Sequence, residues 1–190
     1  MGDLVLVQFG EEYNKSLHTR LVQILENTFS NISTVFAQVK KSAYQLSANI
    51  TPTGNVSTGE TTMMTYTMQP NVLGKVGYNV NIDAYGTFAA NGNNKDIKLY
   101  FGTTVIFDST ALALNTGTWF LQATVTRTAP TTQQAIVTVT SSNTTLVNSV
   151  AYTTPSQDLT AAVVIKCTGT GGATNDIIEK ALLIRVFPKE

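Results

Sequence analysis

The fold is decided by residues 76–102, which read VGYNVNIDAYGTFAANGNNKDIKLYFG. Apolar residues alternate with polar ones in two runs: Val76, Tyr78, Val80, Ile82 and Ala84, and then Ile97, Leu99 and Phe101. A period of two puts the apolar side chains on one face of a half-buried strand. Between the runs, Asn91-Gly92-Asn93-Asn94 has the composition of a hairpin turn. The stretch therefore predicts two strands of a sheet with one buried face.

The same alternation continues toward the C-terminus. Runs of period two recur at 119–125, 135–139 and 159–167, and shorter apolar runs lie at 63–68, 105–107, 146–152 and 177–187. Turn sequences rich in Gly, Pro, Asn and Ser separate them, and no helical pattern intervenes. Residues 62–190 are therefore predicted to be mainly β, an antiparallel jelly-roll-like β-sandwich of about eight strands.

Residues 13–49 have a different period, close to that of a helix. They lack Gly and Pro, and their apolar residues recur at alternating intervals of three and four: Val22, Leu25, Phe29, Ile32, Phe36 and Val39. This heptad pattern predicts a coiled-coil helix, and we call these six residues the seam. Phenylalanine at two seam positions and a broad apolar stripe favour a three-stranded bundle over a dimer. The alternative is that the stripe packs on the chain's own β-domain.

Two further segments flank this helix. Residues 1–12 contain a short apolar run that ends at Gly10: Leu4, Val5, Leu6, Val7 and Phe9. This run predicts an extended arm that docks the chain onto a larger assembly, although an edge strand of the main domain is equally permitted. Residues 50–61 are rich in Thr and Gly and predict a linker.

Composition excludes several classes of function. The 12 Lys and Arg balance 12 Asp and Glu, so there is no excess of positive charge for a nucleic-acid backbone. No apolar run approaches the roughly 20 residues that span a bilayer, and no secretory signal opens the chain, so we expect no membrane partner and synthesis in a cytoplasm. His18 and Cys167 are single residues of their types, too few for a zinc site or a catalytic pair. The sequence predicts no enzyme, no catalytic residue, no metal and no cofactor.

Two loops carry polar side chains at close spacing and are the candidate ligand loops. They contain Asn91, Asn93, Asn94 and Asp96 in one loop and Asn175 in the other, after the glycines at 169–172. Their spacing misses the helix-loop-helix calcium pattern, and the same residues suit a turn without a metal. Paired aspartates for glycan hydrolysis are a weaker interpretation, because most of the aspartates lie next to turns, where their side chains bond the backbone.

Residues 76–102, continued by DSTALALNTGTW at 108–119, resemble the β-domain of virion-associated proteins of tailed bacteriophages. In that family a Gly-Thr-Phe-Ala-Ala-Asn-x-Asn-x-Lys hairpin, here 86–95, leads into a strand ending Leu-Tyr-Phe-Gly, here 99–102. The resemblance covers roughly residues 60–187. It implies a jelly-roll-like homotrimer that serves as a short fibre, a fibre tip or a capsid decoration. It brings no catalytic residues.

The order of arm, heptad helix, linker and charge-poor β-domain agrees with that resemblance. We therefore expect a structural virion protein, made in the host bacterial cytoplasm, whose partners are copies of itself and phage capsid or tail proteins. The N-terminus would attach to the capsid or tail and the sandwich would be displayed outward. The alternative is a receptor- or carbohydrate-binding fibre tip for host adsorption, with a host-surface glycan bound at the candidate ligand loops.

Overall fold

A computed structural model describes residues 2–41, 43–56 and 58–188, and gives the helix side chains of residues 14–35. Helix α1 spans Gly2–Lys41. The strands of the described residues are β1 Tyr44–Asn49, β2 Thr53–Gly54, β3 Thr61–Met68, β4 Asn79–Phe88, β5 Asn94–Phe101, β6 Thr104–Asp108, β7 Leu112–Ala113, β8 Gly117–Ala129, β9 Thr132–Ser141, β10 Ser149–Thr153, β11 Val163–Thr170 and β12 Ile177–Phe187. The chain divides into two compact units, Met1–Ser42 and Ala43–Glu190.

The strands form two antiparallel sheets. The seven-stranded sheet has the order β1-β12-β4-β8-β9-β10, and β2 also pairs with β12. The five-stranded sheet has the order β3-β11-β5-β6, and β7 also pairs with β5. The predicted mainly β fold with an N-terminal helix is therefore confirmed, as a sandwich of two antiparallel sheets.

The core lies between the two sheets and follows the alternation of the sequence. Val80 and Ile82 of β4 and Leu99 of β5 are fully buried, as the period of two predicts. Trp119 and Cys167 are buried as well. Burying each large apolar side chain contributes about 1.5–3 kcal/mol, which fixes the faces of the strands.

The segment between β4 and β5 is not a hairpin. β4 pairs with β12 and β8 in the seven-stranded sheet, whereas β5 pairs with β11 and β6 in the other sheet. Residues 89–93 therefore cross from one sheet to the other. The hairpin prediction was wrong because the turn composition of this segment is equally compatible with a connection between sheets, and because the partners of both strands lie far away in sequence.

The extended arm is also corrected, because α1 begins at Gly2. Leu4, Val5, Leu6, Val7 and Phe9 all have helical backbone, although their side chains lie outside the described part of the chain. A glycine within a helix costs only about 1 kcal/mol relative to alanine, so Gly10 does not end it.

The boundaries of the stalk and the linker change as well. The helix ends at Lys41, eight residues before the predicted end of the stalk at residue 49. Tyr44–Asn49 instead pairs with β12 as β1. The predicted linker belongs to the sandwich, since Thr53–Gly54 also pairs with β12 and Asn55 is fully buried. These contacts join residues more than 120 positions apart, beyond the reach of local pattern.

No helix within the described residues combines the length and the apolar character required to cross a bilayer.

Candidate functional site

The described seam residues are exposed apolar side chains of the helix, as are Leu17, Leu21, Ile24 and Val35 outside the seam. Phe29 is 68% exposed, and Val22, Leu25 and Ile32 are exposed too. These four positions recur at heptad spacing on a continuous helix, so they share one stripe. The side chains of Phe36 and Val39 lie outside the described residues. Every described helix side chain, from residue 14 to residue 35, is exposed.

A stripe of this kind has an energetic consequence. Exposed single hydrophobic residues are ordinary, but contiguous large apolar side chains on one face mark an interaction surface. Three described threonines, Thr19, Thr28 and Thr34, donate their hydroxyls to carbonyls one turn earlier and so satisfy themselves within the helix. His18 is exposed on this helix, with no carboxylate bonded to it among the described residues. The helix is therefore suited to packing against another helix and carries no catalytic grouping in its described part.

The two candidate ligand loops lie together and bond to each other. Asp176 is the centre of this contact, because its carboxylate accepts hydrogen bonds from Asn91 Nδ2 at 2.7 Å, Asn93 Nδ2 at 2.9 Å and Ala173 N at 2.8 Å. Burial raises the pKa of Asp176, but these hydrogen bonds and the charge of Lys95 outweigh it, so the pKa lies below its ordinary value.

Lys95 is fully buried beside this carboxylate. Its Nζ donates to Leu114 O at 2.6 Å, Asn91 Oδ1 at 2.7 Å, Asn91 O at 3.0 Å and Asn93 O at 3.2 Å. Burial lowers the pKa of Lys95, and the negative charge of Asp176 opposes that effect. The ammonium group thus occupies the space among the loop oxygens that a metal ion would need. Its hydrogen bonds connect Asn91 and Asn93, in the segment that crosses between the sheets, to Leu114.

The remaining residues of the candidate ligand loops differ in backbone conformation, hydrogen bonding and exposure. Asn175 has a backbone φ of 63°, a left-handed conformation that asparagine tolerates, and its N–H donates to Asn55 O at 2.8 Å. The Asp96 carboxylate accepts from Ser109 Oγ at 3.0 Å. Asn94 and Asn175 are the exposed members of the five predicted loop residues. The side chains of Asn91, Asn93 and Asp96 are engaged in hydrogen bonds within the protein.

A second polar group, which the sequence analysis missed, lies on the outer face of the five-stranded sheet. Lys98 Nζ lies 3.5 Å from Asp96 Oδ2, 3.5 Å from Asp108 Oδ2 and 3.8 Å from Glu60 Oε2. Tyr100 donates to Glu60 Oε1 at 2.6 Å. We call these five residues the charged face. The signal was present as polar residues at outward strand positions, but only the sheet pairing brings them together.

The charged face shifts the pKa values of its members. The hydrogen bond from Tyr100 is the main cause that lowers the pKa of Glu60. Burial lowers the pKa of Lys98, but the three carboxylates more than compensate and raise it. The ammonium of Lys166 lies 4.5 Å above the Tyr100 ring centre, a cation–π contact. The two lysines, Lys98 and Lys166, offset only part of the charge of the three carboxylates, so the charged face keeps a net negative charge.

A third group is buried in the core. Glu179 is fully buried, and burial raises its pKa to about 8, against smaller opposing effects of the Met64 backbone and the Cys167 thiol. Neither carboxylate oxygen has a hydrogen bond of normal geometry among the described residues. Burial and the neighbouring Glu179 raise the pKa of Cys167, so this thiol is protonated and weakly nucleophilic at neutral pH.

Within the described residues, no three His, Cys, Asp or Glu side chains lie close enough together to hold a metal ion. Comparison of the chain with family models, with curated proteins and with solved structures gave no match.

Proposed function

We propose that this chain is a homotrimeric structural protein of a tailed-phage virion. Helix α1 joins three copies through the seam, the N-terminal part of the chain faces a capsid or tail protein, and the β-sandwich is displayed outward. The protein acts as a short fibre or a capsid decoration. Its role is structural: it associates with copies of itself and with other virion proteins, and it holds the sandwich outward.

The observation that carries the proposal is the exposed seam. Val22, Leu25, Phe29 and Ile32 expose between 38% and 68% of their surface on one stripe of a 40-residue helix. A helix of this length reaches about 60 Å at 1.5 Å per residue, far more than the few turns that a solitary surface helix needs. Association with copies of the same helix buries the stripe and so removes the unfavourable free energy of exposing its apolar surface to water.

The sandwich supports the virion assignment through its strand order. β1, β12, β4 and β8 are neighbours in one sheet, and β3, β11, β5 and β6 are neighbours in the other. The chain passes from one sheet to the other between β3 and β4, between β4 and β5 and between β11 and β12, whereas β5–β6 and β8–β9–β10 are neighbours within a sheet. Such crossings are what the proposed jelly-roll-like domain requires. The resemblance of residues 76–119 to virion proteins of tailed phages points in the same direction.

Sedimentation of the full chain tests the proposal. We expect the wild-type protein to sediment as a trimer and Phe29→Asp to sediment as a monomer, because the substitution places three carboxylates at one level of the seam. Asn27→Asp is the matched control: it adds the same charge two residues away, off the seam, and is expected to remain trimeric.

Phe107→Ala separates assembly from stability. Phe107 is 6% exposed in the sandwich core, so its truncation is expected to lower the free energy of unfolding by about 3–5 kcal/mol while leaving the trimer intact below the unfolding transition. A wild-type monomer, or equal dissociation by Phe29→Asp and Asn27→Asp, would overturn the proposed helical trimer.

A further inference from the structure

A cleft on the seven-stranded sheet brings together exposed aromatic rings, hydroxyl groups and one ammonium group. Its volume is about 550 Å³, and its lining includes Tyr85, Phe120 and Lys180 together with threonine and serine side chains. We call it the aromatic cleft. All of its lining residues belong to the sandwich, so the cleft is complete in a single copy of the chain.

The strand register explains why these side chains meet. Tyr85 of β4 lies opposite Phe120 of β8, and Phe120 lies opposite Thr140 of β9. On the other side of Tyr85, Lys180 is the extra residue of a bulge in β12, next to the residue that pairs with Tyr85. Bulges of this kind often re-aim a side chain at a functional site. The four side chains therefore form one row across four neighbouring strands, roughly 14 Å long at the usual spacing between strands.

The two aromatic rings offer a flat apolar surface that is still in contact with water. Tyr85 is 39% exposed and Phe120 is half-buried. Their ring centres lie 6.5 Å apart, with the rings tilted by 46°. The C–H groups on one side of a sugar ring can pack on such a surface, while the hydroxyl groups of the sugar need polar partners close by.

Hydroxyl groups without protein partners lie beside the rings. The hydroxyls of Thr87 and Thr140, which line the cleft, make no hydrogen bond within the described part of the sandwich. Those of Thr118 and Ser142 bond to each other at 3.2 Å. A free hydroxyl donates one hydrogen bond and accepts up to two, so Thr87 and Thr140 are available to a polar ligand.

Lys180 adds a positive charge that no carboxylate among the described residues neutralises. Asp83 lies two residues before Tyr85 in β4, but its carboxylate is ion-paired with Arg185 and accepts from Gln122 Nε2 at 3.3 Å. Lys180 is exposed and has neither an ion pair nor a hydrogen bond within the part of the chain that the structure describes. An anionic group in the cleft would therefore gain a charge-assisted hydrogen bond.

We propose that the aromatic cleft binds an acidic saccharide, with one side of a sugar ring packed on Tyr85 and Phe120 and the sugar carboxylate bound by Lys180. Thr87 and Thr140 bond the hydroxyl groups of the ring. The unpaired ammonium is the feature that selects an acidic sugar, because the aromatic rings and hydroxyls alone would serve a neutral sugar equally well.

This site goes beyond the proposed assembly role and differs from the candidate ligand loops. In those loops, the side chains of Asn91, Asn93 and Asp96 already bond within the protein. The aromatic cleft needs no second copy of the chain, so it does not depend on the proposed trimer.

A ligand-observed NMR titration of the full chain tests the site with pairs of sugars that differ only in the carboxylate. The acidic probes are the methyl glycosides of glucuronic and galacturonic acid, and their neutral counterparts are the methyl glycosides of glucose and galactose. We expect at least one acidic probe to bind with a dissociation constant about tenfold lower than that of its neutral counterpart, because it adds a charge-assisted hydrogen bond. Acetate at the same concentrations measures what the negative charge achieves alone.

Matched variants assign the contacts. Tyr85→Ala is expected to weaken the binding of both kinds of sugar about tenfold or more, whereas Tyr152→Ala, at a 60% exposed tyrosine outside the cleft, should leave binding unchanged. Lys180→Gln is expected to reduce the affinity for the acidic sugar to that for its neutral counterpart and to leave the neutral sugar unaffected. Lys75→Gln, at an exposed lysine outside the cleft, is its control. Near-UV circular dichroism of Trp119 verifies that each variant is folded.

Each contrary result overturns a defined part of the inference. If neither acidic probe binds, or if Tyr85→Ala and Tyr152→Ala bind alike, the saccharide site is overturned. If acetate binds as tightly as the acidic sugars do, the cleft is an anion site, and the saccharide site is again overturned. Equal affinity for an acidic sugar and its neutral counterpart in both pairs overturns the role of Lys180. The sedimentation of Phe29→Asp is independent of all these results, so the proposed trimer and the saccharide site can fail separately.

Discussion

Buried ionisable side chains are the residues in which this fold departs most from the sequence pattern. The inward positions of Val80, Ile82, Trp119 and Cys167 follow from alternation and were predictable. The burial of Lys95 was not predictable, because a lysine between Asn94 and Asp96 in a polar segment is ordinarily solvated. Its burial depends on carbonyl oxygens at Asn91, Asn93 and Leu114. Since Leu114 lies 19 positions away, no local rule reveals the site.

Glu179 makes the stability of the sandwich depend on pH. Its pKa is about 8 in the folded protein and near 4.5 when unfolded, so between these values unfolding releases a proton. Stability contributed by the protonated carboxyl is therefore complete below about pH 4.5 and falls as the pH rises to about 8. At pH 7 the free energy of unfolding is therefore lower by roughly 3 kcal/mol than it is below pH 4.5.

We expect Glu179→Gln to flatten this dependence and to raise the free energy of unfolding at pH 7 to 8. Urea denaturation at a series of pH values measures it. Glu26→Gln, on the exposed helix, is the control and should preserve the wild-type slope. Parallel slopes for wild type and Glu179→Gln would show that the buried carboxyl does not titrate as described.

Lys95 is expected to matter far more than an exposed lysine of the same sheet. Lys95→Met removes the ammonium from four acceptor contacts and leaves Asp176 without its buried cation. The free energy of unfolding should fall by about 3–5 kcal/mol. Lys98→Met, in the partly exposed charged face, should cost about 1 kcal/mol or less. Similar costs in denaturant titration would contradict the structural role assigned to Lys95.

At the scale of elements, local periodicity located the helix and most strands. It did not predict the segments whose structure depends on pairing with residues distant in sequence. The heptad pattern is visible in Val22 to Val39 because it needs no other part of the chain. Tyr44–Asn49 continues that stretch in sequence yet forms a strand, because β12 offers it a ladder of hydrogen bonds. The crossing at residues 89–93 is of the same kind. The candidate ligand loops were predicted from the close spacing of polar side chains, but the hydrogen bonds from Asn91 and Asn93 to Asp176 could not be read from local sequence.

The helical conformation of residues 2–12 gives a direct test at this scale. Gly10→Ala should stabilise the helix by about 1 kcal/mol and increase the far-UV helical signal, because alanine is the better helix former. Gly92→Ala, at a loop position where an added Cβ meets no atom within 4 Å, should leave the helical signal unchanged. An unchanged signal for Gly10→Ala would favour the extended arm instead.

At the scale of the whole molecule, the assignment of strands to two sheets decides which charged residues share an outer face. Composition showed that charges are few, but it could not show that Glu60, Lys98 and Asp108 meet on one side. Residues of β3 pair with β11 about 100 positions later, for example Tyr66 with Ile165. The sandwich was thus predictable from alternation, whereas the composition of each outer face depends on pairing between residues distant in sequence.

β12 lies inside its sheet, between β1 and β4. It follows all the other described strands in chain order, so the seven-stranded sheet stays without an interior member until residue 187 has been synthesised. The helix precedes every strand of the sandwich and is formed from local contacts, so it is available much earlier. In the proposed trimer, nascent chains on neighbouring ribosomes would therefore meet through their helices before any of them has a finished sandwich, and association would precede the completion of folding.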